Sequence, residues 1–327
     1  MSMGGAKGLP AYVSTYGYGE QVAEVPGLVY DATTYMFALE SADPAATQAT
    51  VDHFLNAPAG GAVEYRVLGS HVFLSFLEAK LTSIPEQIGW IPDHEAALWI
   101  PLLGTTGPER SDPRIVWWNP YLVLDNGVGT LTGREVWGFR KEIGAVAMPT
   151  ADTDPMRFEA RALVYDPLAR STEGRQEILI AVERDGTRGA LEVAWHDMKA
   201  AWREVRDLWE TRQALEGLGV SLLELLCDVA KELAHHQVGI VNLKQFRDAE
   251  DCTRACYQAI IEGPCTVKEF RGAGPLAGEF RVTIPEWQSH RIVGALGLPG
   301  SELVAEFGWW VRMDFTADPG TAVWTAP

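Results

Sequence analysis

The sequence predicts an α+β fold that is mainly antiparallel β, a barrel or sandwich of many strands with a helical hairpin inserted late in the chain. Strand-like alternation of apolar and polar residues recurs at short spacing from residue 29 to residue 194. The period then changes to a helical one. Trp195, Trp202 and Trp209 stand seven apart, with Met198 and Val205 between them. Alternating runs resume at Gly239 and continue to Phe315.

Taken in order, residues 1–28 are rich in Gly, Ala, Tyr and Val and read as an extended N-terminal arm. Residues 29–40 read as a strand. Ala45–Leu55 reads as a short helix that ends at the Ala57-Pro58-Ala59-Gly60-Gly61 turn. Val63–Leu81 is strand-like, with Val72, Leu74 and Phe76 on one face. Ala96–Leu103 and Arg114–Leu124 are two more strands, joined by a Gly- and Pro-bearing turn over Gly104–Pro113. Arg157–Val164 and Glu177–Glu183 continue the series. Asp185-Gly186 is a hairpin signal, which makes Ala190–Ala194 a returning strand.

The inserted hairpin spans residues 196–236. Gly217 and Gly219 end its first helix. Ser221 and Glu224 form a capping box ahead of Leu222, Leu223, Leu225, Leu226, Val229 and Leu233. Its Trp stripe packs on the β domain or, in a sharper reading, forms a subunit interface or a lid. Beyond it come a strand at Gly239–Gln245, a helix over Ala249–Ile261, and strands at Thr266–Phe270, Glu279–Ile284 and Trp309–Phe315. The end after Asp318 reads as loose. The whole of residues 1–327 is expected to form one domain.

Composition narrows the function. The chain has 327 residues, 47% of them hydrophobic, so it can build a large core. Its 44 acidic and 27 basic residues give a net charge of −17. That charge argues against nucleic acid and against anionic membranes as partners. No run of 18 apolar residues appears, and Met1-Ser2-Met3-Gly4-Gly5 has no secretory pattern, so a cytoplasmic protein is expected. Cys227, Cys252, Cys256 and Cys265 fit reduced thiols there. The last three have no His at ligand spacing, and no metal is expected. Gly127, Gly129 and Gly133 come near a dinucleotide-binding spacing but lead into a strand-like segment, so they fail that motif's context. No Gly-x-Ser-x-Gly elbow is present.

The informative stretch is Gly133-Arg134-Glu135-Val136-Trp137-Gly138-Phe139-Arg140-Lys141-Glu142-Ile143-Gly144. If it runs extended, Glu135, Trp137, Phe139, Lys141 and Ile143 share one face, and Val136, Gly138, Arg140 and Glu142 share the other. One lysine then stands among aromatic and aliphatic groups. The free amine has a pKa of about 10.4, which must fall by roughly 3 for the group to be half neutral at pH 7. Burial disfavours the ammonium form and supplies that change. A neutral lysine condenses with a ketone to a Schiff base.

These residues resemble the active-site motif of the acetoacetate decarboxylase superfamily: a Gly-Arg-Glu triplet, an aromatic spacer, then the Schiff-base Lys. Gly133-Arg134-Glu135, Phe139 and Lys141 fill those places, and Leu124-Asp125-Asn126 resembles the lead-in. His94-Glu95 with Ile100-Pro101 resembles a segment whose acid, six positions before a Pro, sits by the substrate. Asn242-Leu243-Lys244 and Val267-Lys268-Glu269 resemble the closing strands. The resemblance spans most of residues 30–315. It departs from the family where Arg140 replaces a Pro and Glu142 replaces a second Lys.

The resemblance implies the family's β-barrel or cone, a homo-oligomer, and a lyase acting on a small keto acid without any cofactor. Reaction would be by decarboxylation or by aldol condensation and dehydration. Lys141, Glu95 and Glu135 are the expected catalytic residues. Arg140, Phe139, Trp137, Glu142 and His94 are the expected substrate contacts. The alternative is a non-catalytic protein that binds a small carbonyl compound on the same fold.

Overall fold

A computed structural model describes residues 9–13, 26–83, 89–200 and 237–327. The strands are β1 Gly27–Glu40, β2 Val63–Val67, β3 His71–Ser83, β4 Ile91–Thr106, β5 Ser111–Leu124, β6 Lys141–Ala147, β7 Pro155–Val164, β8 Arg175–Thr187, β9 Gln237–Arg247, β10 Ala255–Leu276, β11 Arg281–Thr283, β12 Glu302–Val304, β13 Phe307–Ala317 and β14 Thr321–Thr325. Among the described residues helices are few and short. They are α1 Pro44–Val51, α2 Ala57–Ala59, α3 Gly127–Thr132 and α4 Ile292–Ala295, with π turns at Asp52–Asn56 and Gly133–Trp137.

The pairings trace a closed path from β5 through β9, β10, β13, β1, β3 and β4 back to β5. A second arm leaves β5 through β6, β7, β8, β11 and β12. Among the described residues only the pairings of β5 with β6 and with β9 are parallel. One edge of β5 is taken by β4. The other is shared: Trp117 pairs with Ile240 of β9, and Leu122–Leu124 pair with Lys141, Glu142 and Ile143 of β6. β6 therefore joins β5 where β9 has diverged, and this brings Lys141 to the ring.

Alternation gives the ring strands two unlike faces. Tyr35 and Phe37 of β1, Leu74 and Phe76 of β3, and Leu98 and Ile100 of β4 meet the second arm in one large core. Phe158 of β7 is its centre, with ring centroids of Tyr35, Phe76 and Phe37 at 5.0, 5.1 and 5.3 Å. Each such side chain contributes about 1.5–3 kcal/mol by leaving water. The opposite face, enclosed by the ring, holds Ala38, Phe73 and Trp309 with Trp99 and Trp117, and beside them Ala97, Leu122 and Leu124 with Phe139.

The α+β, mainly antiparallel expectation holds. The helix near Ala45–Leu55 forms as α1 and its π turn, with Asp43 accepting from Ala45 N and Ala46 N. Four expectations fail. Residues 133–137 coil into a π turn where an extended run was expected. Ala249–Ile261 is largely strand: Tyr257 to Ile261 pair with β9, and Ala259 to Ile261 also with β14. Tertiary pairing on both edges overrides the local helical pattern there. Strand β8 runs through Asp185-Gly186, and Ala190–Ala194 forms no returning strand; Ala194 and Trp195 bond Ala273 instead. The end after Asp318 is ordered as β14 on β10. The inserted hairpin lies, from residue 201, outside the described residues, as do residues 1–8 and 14–25 of the arm.

Candidate active site

The site is built where the chain leaves β5. Asn126 caps α3 by accepting from Gly129 N at 2.6 Å, and its Nδ2 donates to Asp93 Oδ1 of β4 at 2.5 Å. α3 runs on into the π turn, which ends at Gly138 in a left-handed conformation (φ +81°). Gly138 has a second reason to lack a side chain, since a Cβ there would lie 2.4 Å from Lys244 Cα. The chain then reverses, and Phe139 N donates to Gly133 O at 3.1 Å. This lays the Lys141 side chain across Gly133, where a Cβ would stand 2.6 Å from Lys141 Cδ. The glycine of the Gly-Arg-Glu triplet is thus the floor on which the lysine rests.

Lys141 Nζ donates to Glu95 Oε1 at 2.7 Å. Their side chains are only 11% and 14% exposed. The Lys141 ammonium also stands 5.4 Å from the centre of the Phe139 ring. Asp93 shares Glu95's face of β4, two residues away, and is buried. Burial and the charge of Glu95 push its carboxyl up to about 7, against the opposing pull of Lys141 and Asn126. Cys265 of β10 completes the group across the ring. Burial, Asp318 and Glu95 push its thiol up to about 12. A cavity of about 10 Å³ adjoins, lined by Trp137, Phe139, Ile240, Asn242, Ile261 and Cys265 among others, with room for about one water.

The arrangement is one amine, two carboxyls and an aromatic wall, largely withdrawn from solvent. That set suits amine condensation with a carbonyl followed by proton transfer. Among the described residues no group of three or more His, Cys, Asp or Glu could hold a metal ion.

No family model matches the chain, and no curated protein matches it by sequence. Solved structures match its fold. The acetoacetate decarboxylase of Legionella pneumophila superposes with a TM-score of 0.56 at 13% identity, over 97% of this chain and 92% of that one. An acetoacetate decarboxylase-like enzyme from Sphingomonas wittichii gives 0.56 and 13%, over 96% and 99%. The enduracididine biosynthesis enzyme MppR, complexed with the condensation product of pyruvate and imidazole 4-carboxaldehyde, gives 0.56 and 13%, over 96% and 98%. This chain has the acetoacetate decarboxylase-like fold.

Within that fold the predicted residues divide. Lys141, Glu95, Phe139 and Trp137 come together; Trp137 is buried, donates to Asp318 O at 2.8 Å and meets Phe139 edge-on at 6.2 Å. The other four lie elsewhere. Arg140 is exposed with its guanidinium over Phe54, 4.0 Å from the ring centre. Glu142 bonds His290 Nε2 at 3.0 Å, on the face away from Lys141. His94 lies on the far face of β4 and bonds Asp125 Oδ2 at 2.5 Å, tying β4 to the end of β5. Glu135 sits in the π turn, and its charge acts on Lys244. The expected shared face of Glu135, Trp137, Phe139, Lys141 and Ile143 does not form, because the turn breaks the alternation; Ile143 is exposed.

Asp93 and Asn126 were missed as site residues. For Asp93 a signal existed, since strand alternation puts residues two apart on one face and Glu95 was already singled out. For Asn126 the signal was local too: an Asn before Gly127-Val128-Gly129 is a helix cap.

Proposed function

We propose that this chain is a Schiff-base-forming lyase acting on a small keto acid through Lys141. The observation that carries the reading is the shielded Lys141–Glu95 pair at 2.7 Å inside an acetoacetate decarboxylase-like fold. Lys141 first passes a proton to Glu95, the carboxylate in reach. The amine nitrogen then bonds to the substrate's carbonyl carbon. The carbonyl oxygen takes up protons and leaves as water, which yields a protonated imine. Either of two bonds breaks next. In a β-keto acid, cleavage of the bond from the carbon next to the imine to the carboxylate releases carbon dioxide; in an α-keto acid, cleavage of a carbon–hydrogen bond next to the imine passes a proton to Glu95 or Asp93. In both cases the electron pair moves into the imine and gives an enamine. Asp93, whose carboxyl is pushed well above the usual carboxylate range by burial and by Glu95, can return a proton to carbon. Water then releases the product and restores the lysine.

The condensation product of pyruvate found with MppR supports a pyruvate-like acid and the aldol branch. The likeness to acetoacetate decarboxylases supports the other branch. We take the chain as one domain of a homo-oligomer, which light scattering would test.

Incubation with pyruvate or acetoacetate and borohydride, followed by peptide mass spectrometry, tests the reading. A reduced adduct on Lys141 is expected, and the better-trapped acid selects the branch. Folded protein that traps neither acid would leave the non-catalytic carbonyl binder.

A further inference from the structure

The ring holds two amides that nothing among the described residues satisfies. Asn119 of β5 is 0% exposed, and both its Oδ1 and its Nδ2 lack a hydrogen-bond partner. Asn242 of β9 is 2% exposed, and its Oδ1 lacks one. Buried polar side chains are almost always hydrogen-bonded, so such atoms call for an explanation.

Both lie close to the one contact between β5 and β9. Trp117 and Ile240 pair there in parallel. Asn119 and Asn242 each come two residues further on, Asn119 at the bulge where β5 shifts register against β4, and alternation turns both towards the face that Trp117 and Ile240 share. That face is the enclosed one: Trp117 packs with Phe73 and Trp309, while Ile240 and Asn242 line the cavity beside Phe139 and Cys265. Phe139 in turn stands against Lys141.

Resting on the Schiff-base reading above, we propose that Asn119 and Asn242 form a second subsite, which reads a neutral hydrogen-bonding group on the chain of the keto substrate. The unpaired atoms include two acceptors and one donor. A hydroxyl or a carboxamide both donates and accepts, and satisfies such a pair. A carboxylate can only accept, and would face two amide oxygens in an enclosure that already holds Glu95 and Asp93. An alkyl end would leave the amides unpaired.

The test is borohydride trapping on Lys141 with three α-keto acids of equal chain length, ending in methyl, hydroxymethyl or carboxylate. The wild-type protein is expected to trap the hydroxymethyl acid at a concentration at least about tenfold lower than the other two, as a site built to bond a hydroxyl rejects analogues lacking it. N119L and N242L are expected to move the preference towards the methyl acid. Equal trapping of the methyl and hydroxymethyl acids by wild-type protein overturns the subsite, without recourse to any variant. Trapping that favours the carboxylate acid overturns it as well. If no keto acid labels Lys141, the lysine reading itself fails and the subsite with it.

Discussion

Strand β4 has two faces with opposite construction. On one, Ala96, Leu98 and Ile100 are sealed into the large core against the second arm. On the other, Asp93 stands buried and Glu95 partly buried beside Lys141, and Trp99 donates to Ser75 Oγ at 2.9 Å. The first face gathers apolar groups that stabilise one another. The second holds charge where charge is costly, and it is tolerated because the first face and its partners hold the strand in place. Stability and chemistry are thus separated by a one-residue step along a single strand.

That division predicts distinct failures. Lys141→Met should abolish the borohydride adduct, read by peptide mass, while the melting temperature stays near that of the wild type. A full-strength adduct in this variant would mean that another amine is the nucleophile. Glu95→Gln removes the proton acceptor nearest that amine and should slow adduct formation by about 10²–10⁴-fold, the usual worth of general acid–base catalysis. On the other face, Phe158→Ala should cost about 3–5 kcal/mol in denaturant unfolding, because it empties the centre of a close-packed aromatic cluster. A loss under about 1 kcal/mol would place the stabilising core elsewhere.

Asp93 offers a pH test. Its folded carboxyl titrates near 7, above its value of 3.8 when unperturbed. The folded state therefore holds the extra proton between those values, and the group's contribution to stability declines as pH rises from about 4 to about 7. Asp93→Asn should raise the melting temperature at pH 8 and leave it unchanged at pH 4, because the cost it removes exists only above that window. A gain at both pH values would point to packing and not to ionisation. The smallest effect belongs to His94. His94→Ala breaks a partly exposed contact with Asp125 and should cost about 0.2–1 kcal/mol, with the adduct yield unchanged. A lost adduct would return His94 to the site.

Much of this was legible in the residues. Alternation marks β1, β5, β7 and β9 near their observed bounds, since a half-buried strand must alternate, while the single run Val63–Leu81 is split into β2 and β3. The resemblance singled out Lys141 and Glu95, and the two stand 2.7 Å apart. The segment before the lysine was misread because Glu135, Trp137 and Phe139 show the same parity whether the chain extends or turns. Gly138 and the close approach of Lys244 settle it, and neither is visible in a period. Ala249–Ile261 was misread because a helical pattern cannot register the two strands waiting on either side of it.

The sequence by itself determined the alternation that builds the strands, the acidic surface charge and the amine that can do chemistry. Those are properties of single residues and of their near neighbours. Only the tertiary structure decided that β9 and β6 share one edge of β5, which face of β4 meets the lysine, and that Asn119 and Asn242 are both buried near the contact of β5 with β9. Those depend on partners from 19 residues apart (Leu122 and Lys141) to 123 apart (Trp117 and Ile240), chosen by closing a ring of strands, and strand periodicity carries no information about which strand comes next to which.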